Sequence, residues 1–247
     1  MNGFKNVSLN NTIASSILNH IVSKVLECLE KMIEDYSNES IKIANNETTI
    51  RDHLFCNYLN NDEIMRNMDF DNFWFFAETP ENYINSKPQG RTDLQVFSIN
   101  EFSHRNRYFI IECKRIDGNL TLNREYIDKG IRRFVGESPK YKSYYKMNCM
   151  LGFVVRCIDV ENNVEKINIL LQTEYTDIHV QDYLHAGVVP NTYISSHNSK
   201  ENGLIVLTHA FVNCSSLIAN DTVKRVKWIL EYLKETIFVT LLLPREV

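Results

Sequence analysis

From Tyr108 to Lys114 the chain reads Tyr-Phe-Ile-Ile-Glu-Cys-Lys, four bulky apolar residues that run straight into an acid and a lysine two positions apart. Strand side chains alternate faces, so Glu112 and Lys114 leave the end of a buried strand on one side while Cys113 turns to the other. No other Asp or Glu in the chain has a lysine two places on. Upstream, Gly90-Arg91-Thr92-Asp93-Leu94-Gln95-Val96-Phe97 sets a second acid at the mouth of another strand-like run. Two adjacent strands that each deliver a carboxylate to one point suit a divalent cation, because hard oxygen donors hold Mg2+ without enclosing it.

The elements around this pair set the fold class. Apolar residues recur at helical spacing from Asn11 to Ile33, which predicts a long amphipathic helix whose stripe covers either the core or a partner, a second copy included. Asn45-Asn46 can cap a second helix, with Glu47 in its first turn and Ile50, Leu54, Tyr58 and Leu59 on one face. Phe73 to Ala77 is an aromatic run suited to a strand that ends near Pro80. The turn-rich stretch from Asn85 to Gly90, the strand opening at Asp93 and the Tyr108 strand then suggest an antiparallel meander. Residues 122–146 read as a helix interrupted by Gly136 and Pro139, and Met150 to Val155 as a strand covered on both faces. Reached through a helix, that strand can lie parallel to the Tyr108 strand. Ile167 to Leu171 and Leu204 to Val212 are further strand candidates, separated by a polar stretch that holds His185, Tyr193, Ser195, Ser196 and His197. A last helix is expected from Asp221.

The expectation is therefore an α/β fold with a mixed central sheet and one compact domain. It divides into an N-terminal helical extension (residues 1–44), a core with additional strands (45–215) and a C-terminal helix (216–247).

Composition excludes several classes. With 247 residues, 44% hydrophobic and 23% charged, the chain can bury a full core and is neither disordered nor a repeat array. Its six cysteines show no C-x-x-C and no Cys/His pair at zinc spacing, and so read as free thiols. The longest apolar tract near the C-terminus, Ile237 to Leu243, is far short of the roughly 20 residues a membrane span needs. With no leader pattern at its start, a cytoplasmic protein without membrane attachment is expected. Net charge is −4, yet Arg124 to Lys146 carries seven basic residues against three acids, or +4, which leaves −8 elsewhere. In that segment Lys129, Arg133, Lys140 and Lys142, with Tyr141 among them, are candidates for nucleic-acid contact through backbone charge and base stacking. Ser195, His197 and His209 lack a nucleophile elbow and read as structural.

Asp93, then 18 intervening residues, then Glu112-Cys113-Lys114, with a preceding helix that carries Glu47 and a following helix and strand, resembles the PD-(D/E)xK restriction-endonuclease-like superfamily. The resemblance covers about Asn45 to Val155 and departs from the motif where Thr92 replaces its proline. It implies an αβββαβ core, Mg2+ (with Mn2+ as a substitute) on Asp93, Glu112 and the Cys113 backbone carbonyl, Lys114 assisting the attacking water, and Glu47 helping from the first core helix. It implies hydrolysis of phosphodiester bonds, with DNA as the expected substrate, in a microbial restriction or defence setting. Glu78 and Arg91 are second-rank candidates. The alternative is a nuclease-fold subunit without turnover that acts as a scaffold in a larger assembly.

Overall fold

The computed structural model describes residues 7–99 and 107–219. The expected C-terminal helix from Asp221 lies outside them.

Among the described residues a mixed seven-stranded sheet runs in the order β1-β2-β3-β4-β7-β6-β5. Its strands are β1 (Phe73–Ile84), β2 (Lys87–Ser98), β3 (Phe109–Ile116), β4 (Met147–Val154), β5 (Val180–Ala186), β6 (Thr192–Ser199) and β7 (Gly203–Asn213). The first three form an antiparallel meander, β3, β4 and β7 are mutually parallel, and β7, β6 and β5 return antiparallel. Helices cover both faces. On one side lie α1 (Val7–Asn38), α2 (Glu47–Leu54) and α3 (Asp62–Asn67), and on the other α4 (Leu120–Tyr126), α5 (Arg132–Val135) and α6 (Val160–Thr173). The chain is thus an α/β protein.

Strand alternation divides the core into two layers. Phe109, Ile111 and Cys113 of β3 join Leu94 and Val96 of β2 against Leu18, Ile21, Val25 and Leu29 of α1. Ile110 and Ile116 face the opposite way, toward Tyr126, Ile131 and Phe134. The stripe of α1 is therefore covered by the chain's own sheet. An Asn46 side chain that accepts from Thr49 N at 3.2 Å starts α2, which places Glu47 in its first turn.

Three local expectations are corrected. Pro80 does not end β1, because β1 is an edge strand and a proline there can leave its missing N–H toward solvent. The strand continues to Ile84, turns through Asn85 and Ser86 at φ 49° and 62°, and returns from Lys87, well before Asp93. Ile167 to Leu171 is not a strand but part of α6, where Val164, Ile167, Leu170 and Leu171 form one buried helical stripe. So short an apolar run carries no period of its own that separates strand from helix. The polar stretch before Leu204, to which the sequence pattern assigns no element, supplies β5 and β6. Its buried side chains bond to one another, with Ser195 Oγ 2.8 Å from His197 Nε2 and 2.7 Å from His209 Nε2, and Tyr126 Oη 2.8 Å from His209 Nδ1, while His197 Nδ1 has no partner among the described residues. That network is sealed inside the protein, with Ser195, His197 and His209 fully buried.

Candidate functional site

The two acids arrive on neighbouring strands and on one face. Leu94 pairs with Ile111 across β2 and β3, and Asp93, Glu112 and Lys114 all project opposite to the α1 layer. Asp93 is fixed by the strand beside it, since Cys113 N donates to its Oδ2 at 2.8 Å. Lys114 is the meeting point. Its Nζ lies 2.7 Å from Glu112 Oε1, 2.6 Å from the Cys113 carbonyl oxygen, 3.0 Å from Glu47 Oε1 and 3.8 Å from Asp93 Oδ2.

Neighbours keep this cluster packed and polarised. Gly130, in the helical segment after α4, lets Met150 pack close beside Lys114; a Cβ there would stand 2.4 Å from Met150 Cε and 3.4 Å from Lys114 Cγ. Glu112 is completely buried. Burial, reinforced by the Asp93 charge, raises its carboxyl to about 7 against the pull of Lys114 and Arg133. For Lys114, burial works to lower the pKa, but Glu112, Asp93 and Glu47 outweigh it and hold the ammonium above the ordinary lysine range. The other Glu112 oxygen accepts from Tyr141 Oη at 2.6 Å, and Arg133 Nη1 stands 3.0 Å from Oε1.

Each sequence candidate has a definite place. Glu47 reaches the cluster from α2. Glu78 lies at the site's edge in an ion pair with Arg51. The Arg91 side chain is exposed, while its carbonyl oxygen lies 2.6 Å from Tyr141 Oη and accepts from Arg133 Nη1 at 3.2 Å. Lys140 and Lys142 are exposed, and Lys140 packs over Gly90. Lys129 is not brought to the cluster, since its Nζ pairs with Glu125 at 2.7 Å on an exposed helix face. Tyr141, read from sequence as a stacking side chain, is wholly buried and serves Glu112 instead.

Arg51 was not singled out by sequence reading. Nearly fully buried, it donates through Nη1 to Asp93 Oδ1 at 2.8 Å and also to Glu78, and through Nη2 to Asp52 Oδ1 at 2.8 Å. The available signal was spacing, because Arg51 stands one helical turn after Glu47 on the same face of α2.

Among the described residues no group of three His, Cys, Asp or Glu side chains is set to hold a metal ion. The oxygens that do converge are carboxylate and carbonyl oxygens around one cation, the Lys114 ammonium. That donor set is the chemistry Mg2+ prefers, with the ammonium standing where positive charge is wanted. Comparison with family models, curated proteins and solved structures gives no match.

Proposed function

We propose that this chain is a Mg2+-dependent nuclease that hydrolyses phosphodiester bonds, with DNA the expected substrate and a PD-(D/E)xK type of core. One observation carries the reading: Asp93, Glu112 and the Cys113 carbonyl of two adjacent strands, with Glu47 of α2, gather around Lys114. Buried ionisable groups are costly to assemble, and a scaffold has no use for them at one point. The order of α2, β1, β2, β3, α4 and β4 also suits the αβββαβ core that the sequence resemblance implies.

In this reading Asp93, Glu112 and the Cys113 carbonyl would hold Mg2+, which supplies charge neutralisation at the phosphate and a more acidic water. Lys114, kept cationic by its carboxylates, orients the attacking water and offsets negative charge that grows in the transition state. Glu47 positions the Lys114 ammonium. Tyr141 and Arg133 fix the Glu112 carboxylate, and Arg51 fixes Asp93. Arg91 and Lys140, exposed beside the cluster, are placed for flanking phosphates.

The test is cleavage of mixed DNA and RNA substrates with Mg2+, Mn2+ or EDTA. Cutting should require the metal and disappear in Asp93→Ala and Lys114→Ala. Undiminished cutting by both purified variants would refute the reading. A second reading, a scaffold without turnover, is favoured by one feature: Lys114, Arg51 and Arg133 pair the carboxylates directly. Well-folded protein that binds no Mg2+ and cuts no substrate would establish it.

A further inference from the structure

Beside the catalytic cluster the β1–β2 hairpin, the start of β3 and the segment before β4 enclose an open groove of about 760 Å³. Small-ligand sites span roughly 300–1,000 Å³, so this one admits a nucleotide-sized group. Tyr83, Tyr108 and Tyr144 line it together with Lys142, Lys146 and Gln95. Two connections join it to the cluster. Gln95 follows Asp93 by two residues on the same face of β2, about 7 Å along a strand. Lys142 follows Tyr141, whose hydroxyl is bonded to Glu112.

We propose that this groove takes an unstacked nucleotide next to the scissile phosphate, which makes the preferred substrate single-stranded nucleic acid; the inference rests on the nuclease reading above. Tyr83 and Tyr144 are 58% and 47% exposed within the groove, and stacking on aromatic rings is how single strands are held without sequence preference. The Arg107 guanidinium lies 5.5 Å from the Tyr144 ring centroid and Tyr145 meets the ring edge-on, so the ring is held in place. Lys142 and Lys146 are exposed along the same rim, against Glu201 and Glu81. Glu81 is held in place, with Tyr108 Oη, Gln95 Nε2 and Lys142 N all donating to it, so Lys142 and Lys146 are the groove's cations for a backbone.

The test measures fluorescence anisotropy of labelled 12-mers of dT, rU and a DNA duplex in EDTA, where no turnover occurs. Single strands should bind more tightly than duplex. Tyr144→Ala and Tyr83→Ala should each weaken single-strand binding about tenfold, and Tyr144→Phe should retain it. Lys142→Ala and Lys146→Ala should each reduce the salt slope by about 0.7. Thermal melts confirm that each variant folds, and two tyrosine variants guard against one that does not. The dT and rU arms separate DNA from RNA, and equal binding of both means that the groove reads the stacking and phosphate they share. Tyrosine variants that bind like wild type, duplex bound as tightly as single strands, no oligonucleotide bound at all, or self-association through the groove would each overturn the proposal. Tyrosine-dependent binding without cleavage in Mg2+ would leave the groove standing and sink the nuclease reading. Cleavage with tyrosine-independent binding would do the reverse.

Discussion

Arg51 Nη1 lies 2.8 Å from Asp93 Oδ1, so the first acid of the cluster is held by a side chain from α2 as well as by the β3 backbone. The same guanidinium nitrogen serves Glu78, and its neighbour Nη2 serves Asp52. Arg51→Ala removes this clamp and leaves Asp93 with the more distant Lys114 ammonium, 3.8 Å from Oδ2. Breaking one side of a buried pair costs about 3–5 kcal/mol, and some of that should appear as a lower denaturant midpoint. Activity should fall about a hundredfold through misplacement of the carboxylate. Arg51→Lys should recover only part of both, because lysine keeps the charge but cannot fork between two partners. Urea unfolding and cleavage rates on the three proteins give the answer.

Lys114→Ala has a consequence for stability that is separate from catalysis. The ammonium is the cation nearest to both Glu112 Oε1 and Glu47 Oε1, and its loss leaves oxygens crowded at one buried point. In EDTA the variant should be destabilised by about 3–5 kcal/mol. If these oxygens form a divalent-cation site, millimolar Mg2+ should restore much of the melting temperature, since an ion that binds only the folded state stabilises it. The wild-type melt should respond less. A variant melt that ignores Mg2+ would count against the metal assignment.

The elements and the acids of this site were legible in the sequence because each rests on local pattern. Apolar residues ending in Glu112-Cys113-Lys114 can only be a buried strand that opens onto charge, and Asn46 before Glu47 is a local cap. What stayed hidden depends on distant partners. Tyr141 sits in a basic, tyrosine-rich segment and looks like a surface residue until Glu112, 29 positions away, claims its hydroxyl. Arg51 needs Asp93, 42 positions on, before its burial makes sense. The polar run through Ser195 and His197 shows no strand signal of its own because its buried side chains bond to His209 on the next strand. Pro80 misleads for a topological reason, since only the position of β1 at the sheet edge permits it.

Gly152 offers a packing test close to the cluster. It stands in register between Lys114 on β3 and Phe211 on β7. A Cβ at this position would lie 2.4 Å from Phe211 Cδ1 and 2.8 Å from Cε1, closer than side chains approach one another. Gly152→Ala should therefore destabilise by about 1–3 kcal/mol through overpacking. The double variant Gly152→Ala with Phe211→Leu should be more stable than the sum of the two single changes, because the smaller side chain vacates the space. A double-mutant cycle by thermal or urea melts measures that coupling, and additive effects would mean that the ring yields without cost.

The buried histidine network predicts how stability responds to acid. Burial pushes His197 down to about 4, and it pushes His209 well below its usual value with help from the His197 charge. Both are neutral in the folded protein at pH 7, while the unfolded chain takes up protons near 6.5. The folded pKa is depressed, so this contribution is fully present above about 6.5 and is lost as pH falls toward 4. Glu112 works in the opposite sense: burial lifts its carboxyl to about 7, so its unfavourable charge is relieved as pH falls. A wild-type pH profile alone mixes the two. The stability difference between wild type and His197→Gln isolates the histidine, because Glu112 is common to both proteins. That difference should move against wild type by about 2 kcal/mol between pH 7.5 and 5. Urea melts at the two pH values measure it, and an unchanged difference would mean that His197 is not held neutral by its burial.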